Sequence, residues 1–411
     1  PPAHRRRAVV SSVSSADRDA RGEEVYGDGT GRHNGEVQPR LPDADALATL
    51  LASERARWGI PGAVVGVLAA GRTVVRACGV TSLADPAPVH EDTPFRVASI
   101  SKPFAATVAA LLAEQGLLDL DAPVAAAVPG LRLAAGPAAA AAITPRALLA
   151  HVSGLECEPP HSLVEPAADD GALARMAARY EEVGQLTPPG AVWSYCNAGY
   201  WLAGHACAVA AGAPYEAAAA DLLLRPLGMT ASGFVHDGVP PAGAALGHQP
   251  RTPGDPAHDV VPGWRFPRSR VPSGGLCCTV PDLLRFAALH LDAGSPHAAA
   301  LAGLRAPQAE APGSAWGTGW QVEAWDAPAD GGTAAGRASL VPVTVVGHSG
   351  SYGGFQCRLS LVPGHGVALC VLTNSGRGSA LVRTVVEHAL GEALGLRRPD
   401  PAPLAVPPDP A

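Results

Sequence analysis

The chain has 411 residues, 47% of them hydrophobic and 16% charged, with a net charge of −7 and a pI near 6.1. That length and apolar content support a large folded body. The acidic balance, with no basic stripe interleaved with aromatics, excludes a general nucleic-acid binder, and apolar stretches broken by Gly and Pro predict no transmembrane helix.

Eight cysteines (78, 157, 196, 207, 277, 278, 357 and 370) show no Cys-x-x-Cys pair and no zinc-ligand spacing. They read as small buried thiols and lean towards a cytoplasmic, reducing setting. The opening Pro-Pro lacks a methionine, which leaves an exported chain with a processed start as the alternative. No metal or organic cofactor is expected, since His-Glu-x-x-His, paired-cysteine and Gly-x-Gly-x-x-Gly patterns are missing from the sequence.

Residues 1–40, with Arg5-Arg6-Arg7 and scattered Ser, Gly and acids, carry no hydrophobic period and read as a disordered tail. From Asp43 an amphipathic helix carries Leu47, Leu50, Leu51 and Trp58 to a stop at Gly59-Ile60-Pro61-Gly62. Residues 63–69 and 73–80 flank Ala70-Gly71-Arg72 as a hairpin. Phe95-Arg96-Val97 then leads into a helix beginning at Ser99, with Phe104, Val108, Leu111 and Leu112 on its apolar face and Gly116 as its stop.

Residues 117–264 read as mostly helical and alanine-rich. Thr144 caps a helix with Pro145 at its first position; His151 ends it, and reads as a structural histidine rather than a base. A helix follows Tyr195-Cys196-Asn197, another ends at Pro226-Leu227-Gly228-Met229, and a third spans 280–291. Phe355, Cys357, Leu359 and Leu361 alternate with Gln356, Arg358 and Ser360, as in a half-buried strand. Pro363-Gly364-His365-Gly366 turns it into the apolar run 367–373, a central strand, and a helix over 379–394 closes the fold. The fold class is therefore α+β: an antiparallel sheet built from both chain ends, flanked by helices, with a mostly helical insertion. The expected domain covers 41–395, its α/β part 41–98 and 265–395 and its helical part 99–264, followed by a Pro-rich tail over 396–411.

One residue stands apart. Lys102 is the only lysine, and the other twenty-nine basic residues are arginine. An amine can lose a proton near neutrality, which a guanidinium does not do. Ser99 lies three residues earlier, close enough on a helical turn for the amine to take its proton and make it a nucleophile. The positive end of the helix favours the oxyanion that follows. The plain alternative is a serine N-cap beside a solvated lysine.

Ser99-x-x-Lys102, Tyr195-x-Asn197 and His348-Ser349-Gly350, in that order, resemble the motifs of the serine penicillin-recognising superfamily. More narrowly they are similar to its branch of class C β-lactamases, D-alanyl-D-alanine carboxypeptidases, D-aminopeptidases and β-lactamase-fold esterases. The resemblance spans about residues 42–395, with weaker echoes at 144–155, 193–200, 226–229, 272–276 and 372–374.

The resemblance implies a serine hydrolase acting on an amide or ester through an acyl-enzyme, with a small-molecule or peptide substrate. Ser99 would be the nucleophile and Lys102 or Tyr195 the acylation base, with Tyr195 passing the proton to the leaving group. Asn197 would hold Lys102 and the substrate amide, and the N–H groups of Ser99 and Ser351 would form the oxyanion hole. The family's commonest third motif has lysine where this chain has His348, which would supply a weaker, pH-dependent positive charge. That ranks D-amino-acid peptides or amides and small esters ahead of β-lactams, with Arg265, Arg268 and Arg270 as substitute cations. A class C-like β-lactamase and a penicillin-binding sensor that does not turn over are the other readings, and oligomeric state stays open. An α/β-hydrolase is disfavoured, because Gly347-His348-Ser349-Gly350-Ser351 lacks the final glycine of Gly-x-Ser-x-Gly and precedes strands.

Overall fold

The computed structural model describes residues 38–159, 168–235, 237–252, 257–328 and 340–400, with the backbone of Asp17–Arg18 and Glu24–Val25. Most of the expected tail over 1–40 lies outside the described residues. Helix α1 (Ala44–Trp58) starts where Asp43 Oδ1 accepts from the N–H groups of Asp45 and Ala46, and ends at Gly59 in the left-handed conformation, φ 63°. Strands β1 (Gly62–Ala69) and β2 (Arg72–Gly79) form the expected hairpin.

Four further elements set the site. Helix α2 (Ser101–Glu114) and helix α3 (Asn197–Ala211) lie in the middle of the chain, and helix α4 (Val280–Leu291) follows. Strands β3 (Gln321–Pro328), β4 (Leu340–Tyr352), β5 (Phe355–Val362) and β6 (Val367–Thr373) then lead to helix α5 (Ser379–Leu394). The sheet starts with Asp17–Arg18 and Glu24–Val25, runs β2-β1-β6-β5-β4-β3, continues into Ser314–Trp316 and Ala309–Ala311, and is antiparallel throughout. It joins an early hairpin to late strands, so the α+β reading holds.

Two cores flank the sheet. On one face α1 and α5 bury Leu47, Leu51, Val65, Val371, Leu381 and Val385. On the other, α2, α3 and α4 bury Phe104, Val108, Trp201, Leu284 and Leu372. Strand β6 is covered on both faces, as its unbroken apolar run requires.

Three expectations are corrected. Strand β5 is not half-buried: Ser360 is fully buried and the Arg358 side chain is only 12% exposed. Arg358 can sit there because Glu323 of β3 pairs with it at 2.6 Å, and α5 covers that face. The helical block gives way after residue 229 to strands of two or three residues such as His248–Pro250 and His258–Val260, where Pro and Gly at 240, 241, 243, 247, 250, 262 and 263 break any helix. Finally, the packed body continues past 395: Leu396 is buried, Arg397 bridges to Asp326, and Arg398 pairs with Glu323. No single helix among the described residues is long and apolar enough to cross a membrane.

Candidate active site

The chain reaches Ser99 from the short strand Phe95–Arg96, which pairs with Leu276–Cys278. Ala98 then takes φ 47°, a left-handed conformation disfavoured for a residue with a Cβ. Ser99 lies on the 3₁₀ turn Ala98–Ile100, ahead of α2 rather than inside it. Ser101 causes the difference: its hydroxyl donates to the Ala98 carbonyl at 2.7 Å and accepts from the Leu276 N–H at 3.0 Å, which tightens the first turn.

Lys102 is fully buried. Its Nζ lies 3.1 Å from Ser99 Oγ and donates to the Ser273 carbonyl at 2.9 Å, between the rings of Tyr195 and Tyr200 at 4.8 and 5.3 Å. Burial pushes the amine down to about 7, against the opposing influence of Cys157, Cys196 and Glu158. Ser273 is itself fixed, its hydroxyl accepting from Trp201 Nε1 and donating to the Arg270 carbonyl, both at 2.9 Å.

Tyr195 shares a hydrogen bond with Ser99, and burial pushes its phenol above the usual range. The residue is clamped by His151, whose carbonyl accepts from the Ser194 N–H at 2.8 Å and whose Nδ1 accepts from the Cys196 N–H at 2.9 Å. The two rings stack at 4.3 Å, and Trp193 and Trp316 pack around them. Asn197 opens α3, but the expected bond to Lys102 is replaced: its Nδ2 donates to Glu158 Oε1 at 2.7 Å, and the Ser273 carbonyl takes its place beside Lys102.

The third segment lies on β4. Strand β3 starts at Gln321, opposite Gly347, so residues 348–352 pair only with β5 and their other side is open. Tyr352 and Phe355 close the turn Gly353-Gly354, both glycines with positive φ (57° and 82°). Counting back from that pair, the main-chain groups of Ser349 and Ser351 point to the open side. Gly350 is required there: a Cβ would lie 2.1 Å from the Val97 carbonyl oxygen, so its absence lets β4 close on the Ser99 turn.

His348 is buried beside Tyr195 and Trp316, with ring centroids 6.2 and 5.5 Å away, and its Nδ1–H donates to the Ser349 carbonyl at 2.7 Å. Burial first, and then the Lys102 charge, push it down to about 3. Both causes disfavour the charged imidazole, which argues against the expected pH-dependent cation at this position. Of the substitute arginines, Arg268 pairs with Asp170 and Glu216, Arg270 lies over the Trp201 ring, and Arg265 is the exposed residue of the short strand Trp264–Arg265. Arg358 on β5 lies directly across from Ser349, whose hydroxyl accepts from its Nη1 at 3.2 Å, but it is paired with Glu323 on the face covered by α5, opposite to the one that meets the Ser99 turn. Gln356 Nε2 donates to Ser351 Oγ at 2.8 Å.

Ser99, Lys102, Tyr195, His348 and Gly350 thus converge, with Asn197 alongside. Ser273 and Glu158 were not found from sequence. Ser273 acts through its carbonyl, and Glu158 stands 39 residues from its partner in a loop with no periodic signal. Among the described residues, no three His, Cys, Asp or Glu side chains converge as a metal site. A hydroxyl held by a deprotonatable amine and a phenol, facing outward-pointing N–H groups, is suited to acyl transfer.

Residues 47–390 match the family described as Beta-lactamase. Penicillin-binding protein 4 of Amycolatopsis lactamdurans is 31% identical over 360 residues, covering 84% of this chain and 89% of that protein. Esterase EstB of Burkholderia gladioli is 32% identical over 313 residues, 67% and 78% of the two chains. The D-amino acid amidase of Ochrobactrum anthropi SV3, in complex with L-phenylalanine amide, superposes with a TM-score of 0.67 at 25% identity, over 84% of this chain and 95% of that one.

Proposed function

The chain belongs to the beta-lactamase family, and from that premise we propose that it hydrolyses amides or esters of D-amino acids, or small esters, through an acyl-enzyme on Ser99. The observation that carries this reading is the buried Lys102 amine 3.1 Å from Ser99 Oγ, lowered to about 7. Such an amine is neutral in a large fraction of molecules at neutral pH and takes the Ser99 proton as the oxygen bonds to the substrate carbonyl carbon. Tyr195 is disfavoured as the base, because its buried phenol resists becoming a phenolate. It remains neutral and relays the proton from Lys102 to the departing nitrogen or oxygen as the carbonyl–leaving-group bond breaks. The tetrahedral oxyanion is received by the N–H groups of Ser99 and Ser351. Water then attacks the ester, its proton returns through the same groups, and the acid leaves with Ser99 restored.

Two observations support amides and esters ahead of β-lactams. Burial disfavours a charged His348, and Arg358 is already paired with Glu323, so among the described residues a β-lactam carboxylate meets no unpaired cation at this motif. The names of the relatives support hydrolysis of both ester and amide bonds. Burst kinetics with p-nitrophenyl acetate and nitrocefin, followed by intact mass, test the reading. Steady turnover of the ester with a transient adduct, lost in Ser99→Ala, is expected. A stoichiometric burst without turnover indicates a sensor, and preferred nitrocefin turnover indicates a β-lactamase.

A further inference from the structure

We propose that the cavity between helix α5 and the sheet binds a small organic anion, its carboxylate or phosphate group held by arginine and backbone donors, at a site separate from Ser99.

The cavity has a volume of about 510 Å³ and lies behind the end of β4. That size falls within the range of about 300 to 1,000 Å³ usual for small-molecule sites. Ser349 and Arg358 line it, whereas the next residue, Gly350, meets the Val97 carbonyl on the opposite face, so the sheet itself divides the two sites.

The lining is rich in donors without acceptors. Helix α5 begins on the cavity with Ser379 and Ala380. No side chain caps this helix, no acidic residue stands in its first turn, and those two N–H groups find no acceptor among the described residues. A helix start of this kind favours an anion. Arg383, one turn on from Ser379, is exposed and makes no hydrogen bond or ion pair among the described residues. Trp325 is an independent sign of a missing partner: the residue lines the cavity at 2% exposure, and its Nε1–H is buried without an acceptor. Such a donor is costly until something accepts from it.

The acceptors present are already engaged. Glu323 Oε2 accepts from Arg358 at 2.6 Å and its Oε1 from Arg398 at 2.8 Å, while Gln321 Oε1 accepts from Arg358 at 2.8 Å. Three arginines, at 358, 383 and 398, thus face two glutamates, at 323 and 387, which leaves the lining with a charge of +1. Glu387 is eight residues beyond Ser379, about 12 Å along the helix, so the helix start stays positive. Burial disfavours the Arg358 cation, Glu323 offsets this, and Arg398 works against it again, so a second anion stabilises the group. Val382, Val386 and the Trp325 ring give the organic part of the ligand an apolar wall.

Calorimetric titration of the full chain with citrate, with inorganic phosphate and with glycerol as a neutral control, at constant ionic strength near neutral pH, tests the site. One saturable site is expected for at least one of the two anions and none for glycerol. Saturation by citrate alone or by phosphate alone supports the proposal and identifies the group that is held. Arg383→Gln, on the exposed side of the helix, should weaken binding about 10- to 100-fold, the range for a hydrogen bond to a charged group. Trp325→Phe, which removes the indole N–H and keeps an aromatic ring, should weaken it by a smaller factor, and Ser99→Ala should bind as the native protein does. Absence of saturable binding for both anions overturns the proposal, as does an affinity unchanged in Arg383→Gln. Loss of binding in Ser99→Ala overturns it too, because the anion would then occupy the catalytic site.

Discussion

Lys102 Nζ donates to the main-chain carbonyl of Ser273, 2.9 Å away and 171 residues later in the chain. A carbonyl can only accept, so one N–H of the amine is committed to it. Ser99 Oγ lies 3.1 Å from the same nitrogen, within reach of its lone pair when the amine is neutral. The Ser273 carbonyl thus orients the base, and burial keeps it near its working protonation state.

The pH profile follows. Below about pH 7 the amine is protonated and cannot accept from Ser99, so kcat/KM for p-nitrophenyl acetate should fall about tenfold per pH unit, and it should level off above that point. His348, already pushed down to about 3, adds no inflection between about pH 5 and 8. Lys102→Arg should lose about 10²- to 10⁴-fold, the share usual for a positioned base. A second inflection near the ordinary histidine value would contradict the neutral assignment of His348.

Stability should carry the same signature. The folded value of Lys102, about 7, lies below its ordinary value of 10.5. Below about pH 7 both states bind the proton and the folded state bears the full cost of a buried ammonium. Between those values only the unfolded chain keeps the proton, so native stability rises with pH, by at most about 5 kcal/mol over the window. Lys102→Met should therefore be more stable than the native protein near pH 6, by a margin that shrinks towards pH 10. Urea unfolding at the two ends measures it; a margin independent of pH means that the lysine titrates normally.

Much of this was legible in the sequence, for identifiable reasons. A lone lysine three residues after a serine stood out because the composition otherwise uses arginine, and β6 could be read from an uninterrupted apolar run. The environment of each group was not legible. His348 is buried beside Tyr195 and Trp316, from distant segments, and that burial disfavours its charged form. Strand β5 alternates in sequence like a half-exposed strand, but Arg358 is buried against a glutamate supplied by β3. Both facts depend on pairings across long sequence separations, which periodicity does not encode.

Gly350→Ala should uncouple β4 from the nucleophile. The added methyl would meet the Val97 carbonyl oxygen at 2.1 Å and Ala98 Cβ at 3.4 Å, and the first of these is backbone that cannot rotate away. The strand end must move outward and take the Ser351 N–H with it. Loss of one oxyanion donor costs about 10²- to 10³-fold in rate, while overpacking costs about 1 to 3 kcal/mol in stability. The expected variant is folded by circular dichroism and about a hundredfold less active. Activity within threefold of native would remove Ser351 from the oxyanion hole.

His151 is expected to act as a positioning residue for Tyr195. It holds both neighbours of that tyrosine, through its carbonyl to Ser194 and its Nδ1 to Cys196, and it stacks on the ring itself. Its own φ of 63° is one that asparagine tolerates far better than a branched apolar residue does. His151→Leu leaves the Cys196 N–H buried without an acceptor, at about 1 to 3 kcal/mol, and frees the Tyr195 loop. His151→Asn keeps the backbone conformation and supplies a side-chain acceptor, so it should recover most of the loss. Because Tyr195 is assigned to protonate the leaving group, the defect should be at least about tenfold larger for an anilide than for a p-nitrophenyl ester, whose leaving group departs with little proton assistance. The effect should appear in kcat more than in KM. Equal losses on both substrates, or no recovery with asparagine, would assign His151 to the stability of the helix end alone.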